Sequence, residues 1–96
     1  MIVRFTPRAL ADIATIADYI KLRNPNAAVR VEQALTNTIA HLARHPNLGI
    51  ARTHLSVRAL GVPRFPYTVY YRVDLQAVII VHVRDDRRAP LKPGDL

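Results

Sequence analysis

Hydrophobic and polar positions alternate strictly across Arg64–Val73, RFPYTVYYRV. Phe65, Tyr67, Val69, Tyr71 and Val73 fall on one side, and Arg64, Pro66, Thr68, Tyr70 and Arg72 on the other. Period two with β-branched and aromatic residues predicts a half-buried strand. After a break at Asp74–Gln76, a second strand is predicted over Ala77–Arg84, AVIIVHVR. Upstream the period lengthens. Leu10, Ile13, Ala14, Ala17 and Ile20, with Ile16 broadening the stripe, predict a helix from Thr6-Pro7 to about Arg23. Ala28, Val31, Leu35, Ile39 and Leu42 predict another, from Asn24-Pro25 until Pro46 closes it. Each helix opens on a capping side chain followed by a proline, whose missing N–H costs nothing in the first turn. So short a connection forces the two helices antiparallel.

Ile2–Phe5 reads as a short strand. Residues 46–57 read as a loop with Asn47 and Gly49 as turn formers. Val57–Val62 reads as a weaker strand limited by Pro63, and Pro90–Leu96 as an irregular tail. Helices grouped before consecutive strands indicate an α+β fold: an N-terminal strand, then an antiparallel helix hairpin packed on a small antiparallel sheet, in a single domain spanning 1–96.

Composition narrows the function classes. Cysteine is absent, which excludes disulfides and thiolate metal sites and fits a reducing compartment. The longest apolar run, near Ala77–Val83, is too short to span a bilayer. No charged-then-apolar leader opens the chain, so a cytoplasmic location without membrane contact is expected. Net charge is +7, carried by twelve arginines against two lysines. The guanidinium is a planar fork of donors matched to phosphate and carboxylate, so nucleic acid and acidic protein segments both fit as partners.

Alternation is expected to gather Arg64, Arg72 and Arg84 on the open face of the sheet beside Tyr70 and His82. Adjacent basic and aromatic residues of this kind are the usual material of binding surfaces. Tyr67 and Tyr71 belong to the apolar side, with their hydroxyls reaching the rim. His82 is the one group near the sheet whose ordinary pKa lies close to neutral. Arg87 and Arg88 can meet a target or pair with Asp85 and Asp86. Arg52 and Arg58, in and after the loop, are further contact candidates. His41 and His45 have the i, i+4 spacing of a zinc pair but no evident third ligand, and His54 has no assigned role. No metal or cofactor is expected.

FTPRALADI near the start, the Asn24-Pro25 break, Arg30-Val31, the helix exit HPNLG (His45–Gly49), RFPYTVYYRV and VHVRDDRR (Val81–Arg88) occur in the order found in the RelE/ParE superfamily of bacterial toxins. The chain resembles that superfamily over essentially its whole length. The resemblance implies a helix hairpin on a small sheet, and a toxin silenced by a cognate acidic antitoxin. It leaves two activities open. RelE-like members cleave mRNA on the ribosome, whereas ParE-like members poison DNA gyrase without hydrolysis.

Metal-free RNA cleavage needs a base, an acid and cations for the phosphate. Arginine serves only as the cation, so Tyr70 and His82, with Arg64 and Arg84 as stabilisers, are the catalytic candidates on that alternative. Cleaving relatives often carry arginine where this chain has Thr68, and histidine where it has Asp85. Both departures favour the gyrase-directed branch, as does the FPY-x-VYY pattern. An inactive module that only binds antitoxin is the third alternative.

Overall fold

A computed structural model describes the whole chain, Met1–Leu96. Its elements run β1 (Ile2–Phe5), α1 (Pro7–Arg23), α2 (Pro25–Arg44), β2 (Ile50–Arg52), a 3-10 turn (Thr53–Leu55), β3 (Val57–Gly61), β4 (Tyr67–Val73) and β5 (Ala77–Asp85). No helix is long and apolar enough to cross a membrane.

The helix boundaries follow from cap chemistry. Thr6 Oγ1 accepts the Ala9 N–H at 3.1 Å, and Pro7 fills the first helical position. Asn24 serves both helices. Its N–H closes α1 on the Ile20 carbonyl at 2.7 Å, while its side chain accepts the Ala27 N–H at 3.1 Å to open α2. One residue therefore makes the hairpin. Lys21 and Arg23 sit in the last turn of α1, where cations offset the negative end of the helix dipole.

In α2 the expected face is buried: Ala28, Val31, Leu35 and Leu42, with Ile39 at its margin. Thr38 joins that face, its hydroxyl donating to the Ala34 carbonyl. The stripe on α1 is rotated from the expected one. Ala9, Ile13, Ile16 and Ile20 face the sheet, whereas Leu10 and Ala14 are exposed. The cause is tertiary. The Thr6 hydroxyl donates to the Val81 carbonyl, and Asp12 accepts the Val83 N–H. These two bonds to β5 fix the helix about its axis.

The helix hairpin packs on one face of a five-stranded sheet ordered β1-β5-β4-β3-β2. Neighbours are antiparallel except β1, which pairs parallel with β5, so the small sheet is mixed. β2 lies within the stretch read as loop. It is only three residues, too short to show alternation. β4 begins at Tyr67 rather than Arg64, because Arg64 adopts φ 70 in the turn before it. Left-handed φ is unfavourable for a residue with a Cβ and breaks an extended run.

The main core lies between sheet and helices, around Leu42, Val69, Tyr71, Val78 and Ile80. Inside it the Tyr71 hydroxyl donates to the Pro46 carbonyl at 2.7 Å and accepts the Gly49 N–H at 2.8 Å. Tyr71 thereby holds the exit of α2 against the sheet. A Cβ on Gly49 would lie 2.6 Å from the Tyr71 hydroxyl oxygen and 2.9 Å from the Ala59 carbonyl oxygen, so only glycine fits. A smaller cluster of Leu55, Val57, Tyr70 and Val81 occupies the opposite face, with Leu91 of the C-terminal tail packed on it.

Tyr71→Phe is expected to cost about 1–3 kcal/mol, because the buried Gly49 amide loses its acceptor. Gly49→Ala is expected to cost at least as much through overpacking. Urea unfolding should show both as lower midpoints with unchanged slope. An unmoved midpoint for Tyr71→Phe would remove this anchor from the account of stability.

Candidate functional site

β5 is nine residues long, but β1 pairs only with Ala77–Ile80. Just beyond that point the β4–β5 register shifts. Tyr70 lies opposite His82 and Tyr71 opposite Ile80, which leaves Val81 as an extra residue in β5. Such a bulge resets which face the following side chains take. It lets Val78, Ile80 and Val83 all face the helices, with Val81 on the other side.

His82 sits at this irregularity. Its ring stacks on Tyr70 with centroids 5.8 Å apart, and its Nδ1 donates to Asp12 Oδ2 at 2.5 Å. The same carboxylate oxygen accepts the Val83 N–H at 3.1 Å. His82 is 6% exposed and Tyr70 9% exposed. Nε2 of His82 is buried and has no hydrogen-bond partner. This corrects the expectation of an open face displaying both residues. Leu91, Leu55 and Val57 pack over the sheet around Tyr70, so the aromatic centre of that face is covered.

The arginines do not form one continuous surface either. Arg84 lies opposite Thr68, and the Asp86 N–H bonds the Pro66 carbonyl, so residues 84–88 share one end of the sheet with the Arg64 turn. Arg72 lies opposite Ile79 near the other end, four residues and roughly 13 Å along the strand from Thr68. Arg72 and Arg58 line a cleft there, close to exposed Arg52 on the edge strand β2. Arg58 is committed internally, donating to the Gly49 carbonyl at 2.7 Å. Its neighbour across the ladder is Tyr71, on the helix side, which is why the strand pattern alone misplaces it.

At the first end, Arg87 grips Asp85 through two parallel bonds of 2.9 and 2.6 Å. The guanidinium holds the Asp85 carboxyl down to about 2. Asp86 accepts from the Thr68 hydroxyl at 2.5 Å. Burial, with Asp85 adding to it, pushes the Tyr67 phenol above its ordinary value. Thus Thr68 and Asp85 stand on adjacent strands, and Asp85 and Asp86 place two carboxylates at this end of the sheet. Arg84, Arg88 and Arg8 make no ion pair; the only two in the structure are His82–Asp12 and Arg87–Asp85. Arg8 donates to the main-chain carbonyl of Asp95 in the tail.

A cleft of about 310 Å³ opens among these groups, lined by Arg8, Asp12 and Thr15 of α1 and by His82, Arg84 and Arg88. Sequence reasoning did not find Arg8 and Asp12. They stand i, i+4 on α1, a spacing that places both on one helix face, but only the fold shows that this face meets β5. His41, Arg44 and Asn37 line a shallow separate cleft on α2. No three His, Cys, Asp or Glu side chains converge on a metal-sized position.

The family model for the ParE toxin of type II toxin–antitoxin systems (parDE) matches residues 3–90. The chain is 37% identical over 86 residues to toxin RelE2 of Caulobacter vibrioides, covering 90% of this chain and 96% of that one. It is 32% identical over 82 residues to protein Y4kP of Sinorhizobium fredii, covering 83% and 85% respectively. A solved chain of the chromosomal ParDE system of P. aeruginosa superposes with a TM-score of 0.76 at 24% identity, over 88% of this chain and 95% of that one. This last likeness is one of fold.

Asp85 carries a pH prediction. Its folded form binds a proton less tightly than the unfolded chain. The contribution of its Arg87 pair is therefore fully present above the ordinary value of 3.8 and is lost as pH falls through about 2. A carbon-detected carboxyl titration should place Asp85 near 2, and Arg87→Gln should return it toward 3.8. An Asp85 that stays near 2 in the Arg87→Gln chain would assign the depression to another group.

Proposed function

The chain belongs to the ParE toxin family of type II toxin–antitoxin systems, and on that premise we propose that it acts as a non-catalytic poison of DNA gyrase held silent by its cognate antitoxin. The observation that carries this reading is the burial of His82 and Tyr70. A base that takes a proton from a ribose hydroxyl must reach it within hydrogen-bond distance. Nε2 of His82 is enclosed, and Nδ1 is held by Asp12. The cations that do reach solvent near the Arg64 turn are guanidiniums, which stay charged at any ordinary pH and bind without exchanging protons. Asp85 and Asp86 beside them add negative charge where a cleaved phosphate would sit.

The contact surface on this reading is the end of the sheet that carries Arg64, Arg84, Arg87 and Arg88. It is narrower than the whole arginine face expected from alternation, because Arg72 stands at the far end of β4. A second reading, ribosome-dependent mRNA cleavage, draws on the His82–Asp12 pair, which has the form of a base with its orienting carboxylate. It requires the buried Nε2 of His82 to become accessible first.

Two measurements separate the readings. Induction without antitoxin should stop DNA synthesis before protein synthesis in pulse-labelled cells. The purified chain should inhibit gyrase supercoiling without added ribosomes. Tyr70→Phe and His82→Gln, checked for folding, are expected to retain inhibition within about threefold. Combined Arg64→Gln and Arg84→Gln is expected to weaken it at least about tenfold, the effect of some 1.4 kcal/mol. Early loss of protein synthesis, or collapse on His82→Gln with folding intact, would hand the assignment to cleavage.

A further inference from the structure

A line of residues crosses the open face of the sheet from edge to edge. Arg4 of β1 lies opposite Ile79 of β5, and Ile79 lies opposite Arg72 of β4. Arg58 pairs with Tyr71, so the next register position sets Val57 of β3 beside Arg72, and Val57 lies opposite Arg52 of β2. Directly opposed residues project to the same face. Ile79 and Val57 pack in the cluster away from the helices, which places all five on that face. The row therefore reads Arg4, Ile79, Arg72, Val57, Arg52, with a cation on every second strand. At the spacing of neighbouring strands the arginines stand about 10 Å apart, and the row is about 19 Å long.

The three guanidiniums are uncommitted. Arg4, Arg52 and Arg72 are exposed, and none pairs with a carboxylate. Strands β1 to β4 contain no acidic residue, and the single acid of β5 is Asp85 at its far end. Asp74 in the β4–β5 turn shares a shallow cleft with Arg4, but its Oδ1 accepts the Gln76 and Ala77 N–H groups.

Charge of one sign with little apolar surface narrows the partner. Between the arginines, Val57 is buried and Ile79 half-buried. An acidic protein segment needs apolar contacts for slow dissociation, since charge mainly speeds encounter. A strand-adding peptide runs along strands, whereas this row runs across them. Sheet twist turns successive arginines by about 45° around the row, so a flat anionic surface such as a bilayer meets only part of it. A single-stranded nucleic acid stacks its bases on exposed aromatic rings, and Tyr70 on this face is buried. The duplex backbone is a winding line of phosphates that binds cations without sequence preference. At its rise per base pair, the row matches the axial length of about six pairs.

We infer that the open face of the sheet binds the phosphate backbone of duplex DNA through Arg4, Arg52 and Arg72. The row lies at the other end of β4 from the Arg84 end proposed to meet gyrase, so one chain can touch both the enzyme and its DNA. The inference stands on the row itself and does not need that reading.

The test uses the full-length chain and a fluorescein-labelled duplex of mixed sequence, about 20 base pairs long, followed by anisotropy between about 0.05 and 0.2 M salt. Saturable binding is expected. Combined Arg4→Gln, Arg52→Gln and Arg72→Gln should weaken it about tenfold or more, and should lower the slope of log K against log salt by about 2.7, at about 0.9 per lost phosphate contact. Combined Lys21→Gln, Arg30→Gln and Arg44→Gln makes the same charge change at exposed helix positions. It should leave the affinity within about threefold and the slope within about one. Unchanged urea midpoints keep folding out of the comparison. Absence of saturable binding, equal weakening by the two triple variants, or an unchanged slope in the sheet-face variant would overturn the proposal. So would tighter binding of polyglutamate or of a single-stranded oligouridylate through the same arginines. The assay contains no gyrase or ribosome. Its failure therefore leaves the gyrase reading standing, and failure of the supercoiling assay leaves the DNA contact standing.

Discussion

β5 is longer than the strand beside it, and much of the structure follows from how its surplus is satisfied. Four of its nine residues pair with β1. Further along, the backbone groups of the free edge need other partners, because a buried unpaired amide costs roughly 1–3 kcal/mol. The first turns of α1 supply them through the Thr6 hydroxyl and the Asp12 carboxylate. Two side chains that also cap or orient a helix thus join helix and sheet. They fix which face of α1 is buried, and they set the distance between α1 and β5. Asp12 also draws His82 inward, so the feature that completes the strand edge removes the imidazole from solvent.

The opposite end of the molecule is organised by a tyrosine. Tyr71 sends its hydroxyl into the exit of α2, where Pro46 and Gly49 close around it. Arg58, its cross-strand neighbour, donates to the Gly49 carbonyl. One ring and one guanidinium therefore pin the loop from which β2 starts. On the other sheet face, Leu91 of the tail covers Tyr70 and Val81. This apolar cover divides the arginines into two groups, one around Arg84 and one around Arg72, each beside its own cleft.

What the sequence made legible was local. Thr6-Pro7 and Asn24-Pro25 announced the helix starts because capping is decided within four residues. Strong alternation announced β4, and the run Ala77–Arg84 announced β5. The rest was set by contacts distant in the chain. The bulge at Val81 lies inside an all-apolar run that has no period to interrupt. Asp12 meets His82 across 70 positions, and nothing near either residue signals the other. Arg64 alternates correctly on paper, yet its left-handed φ takes it out of the strand. Arg58 looks like a surface cation until the register places it opposite Tyr71. The α+β architecture and the superfamily were readable because they depend on the order of elements. The candidate site was readable only in part, because it is assembled from α1, β5 and the tail.

The two groups of arginines act together if the two proposals hold. Arg84 belongs to the end of the sheet proposed to meet gyrase, and Arg72 to the row proposed to lie on DNA. Arg72 and Thr68, the partner of Arg84, are roughly 13 Å apart along β4. One sheet thus presents both contacts in a fixed relation. Once one contact forms, the second is intramolecular, so neither has to be tight alone. The row suits the weaker share. Counterion release gives affinity without sequence preference and fades with salt, so free DNA holds the toxin poorly and DNA already held by the enzyme holds it well. The same argument explains why a surface of arginines suits this chain better than one of lysines. The fork orients a phosphate as well as attracting it, and three forks at fixed register positions set the backbone at one angle to the sheet. Lysines there would attract it equally and leave that angle free. The angle matters because Arg84, on the same sheet, must still face the enzyme.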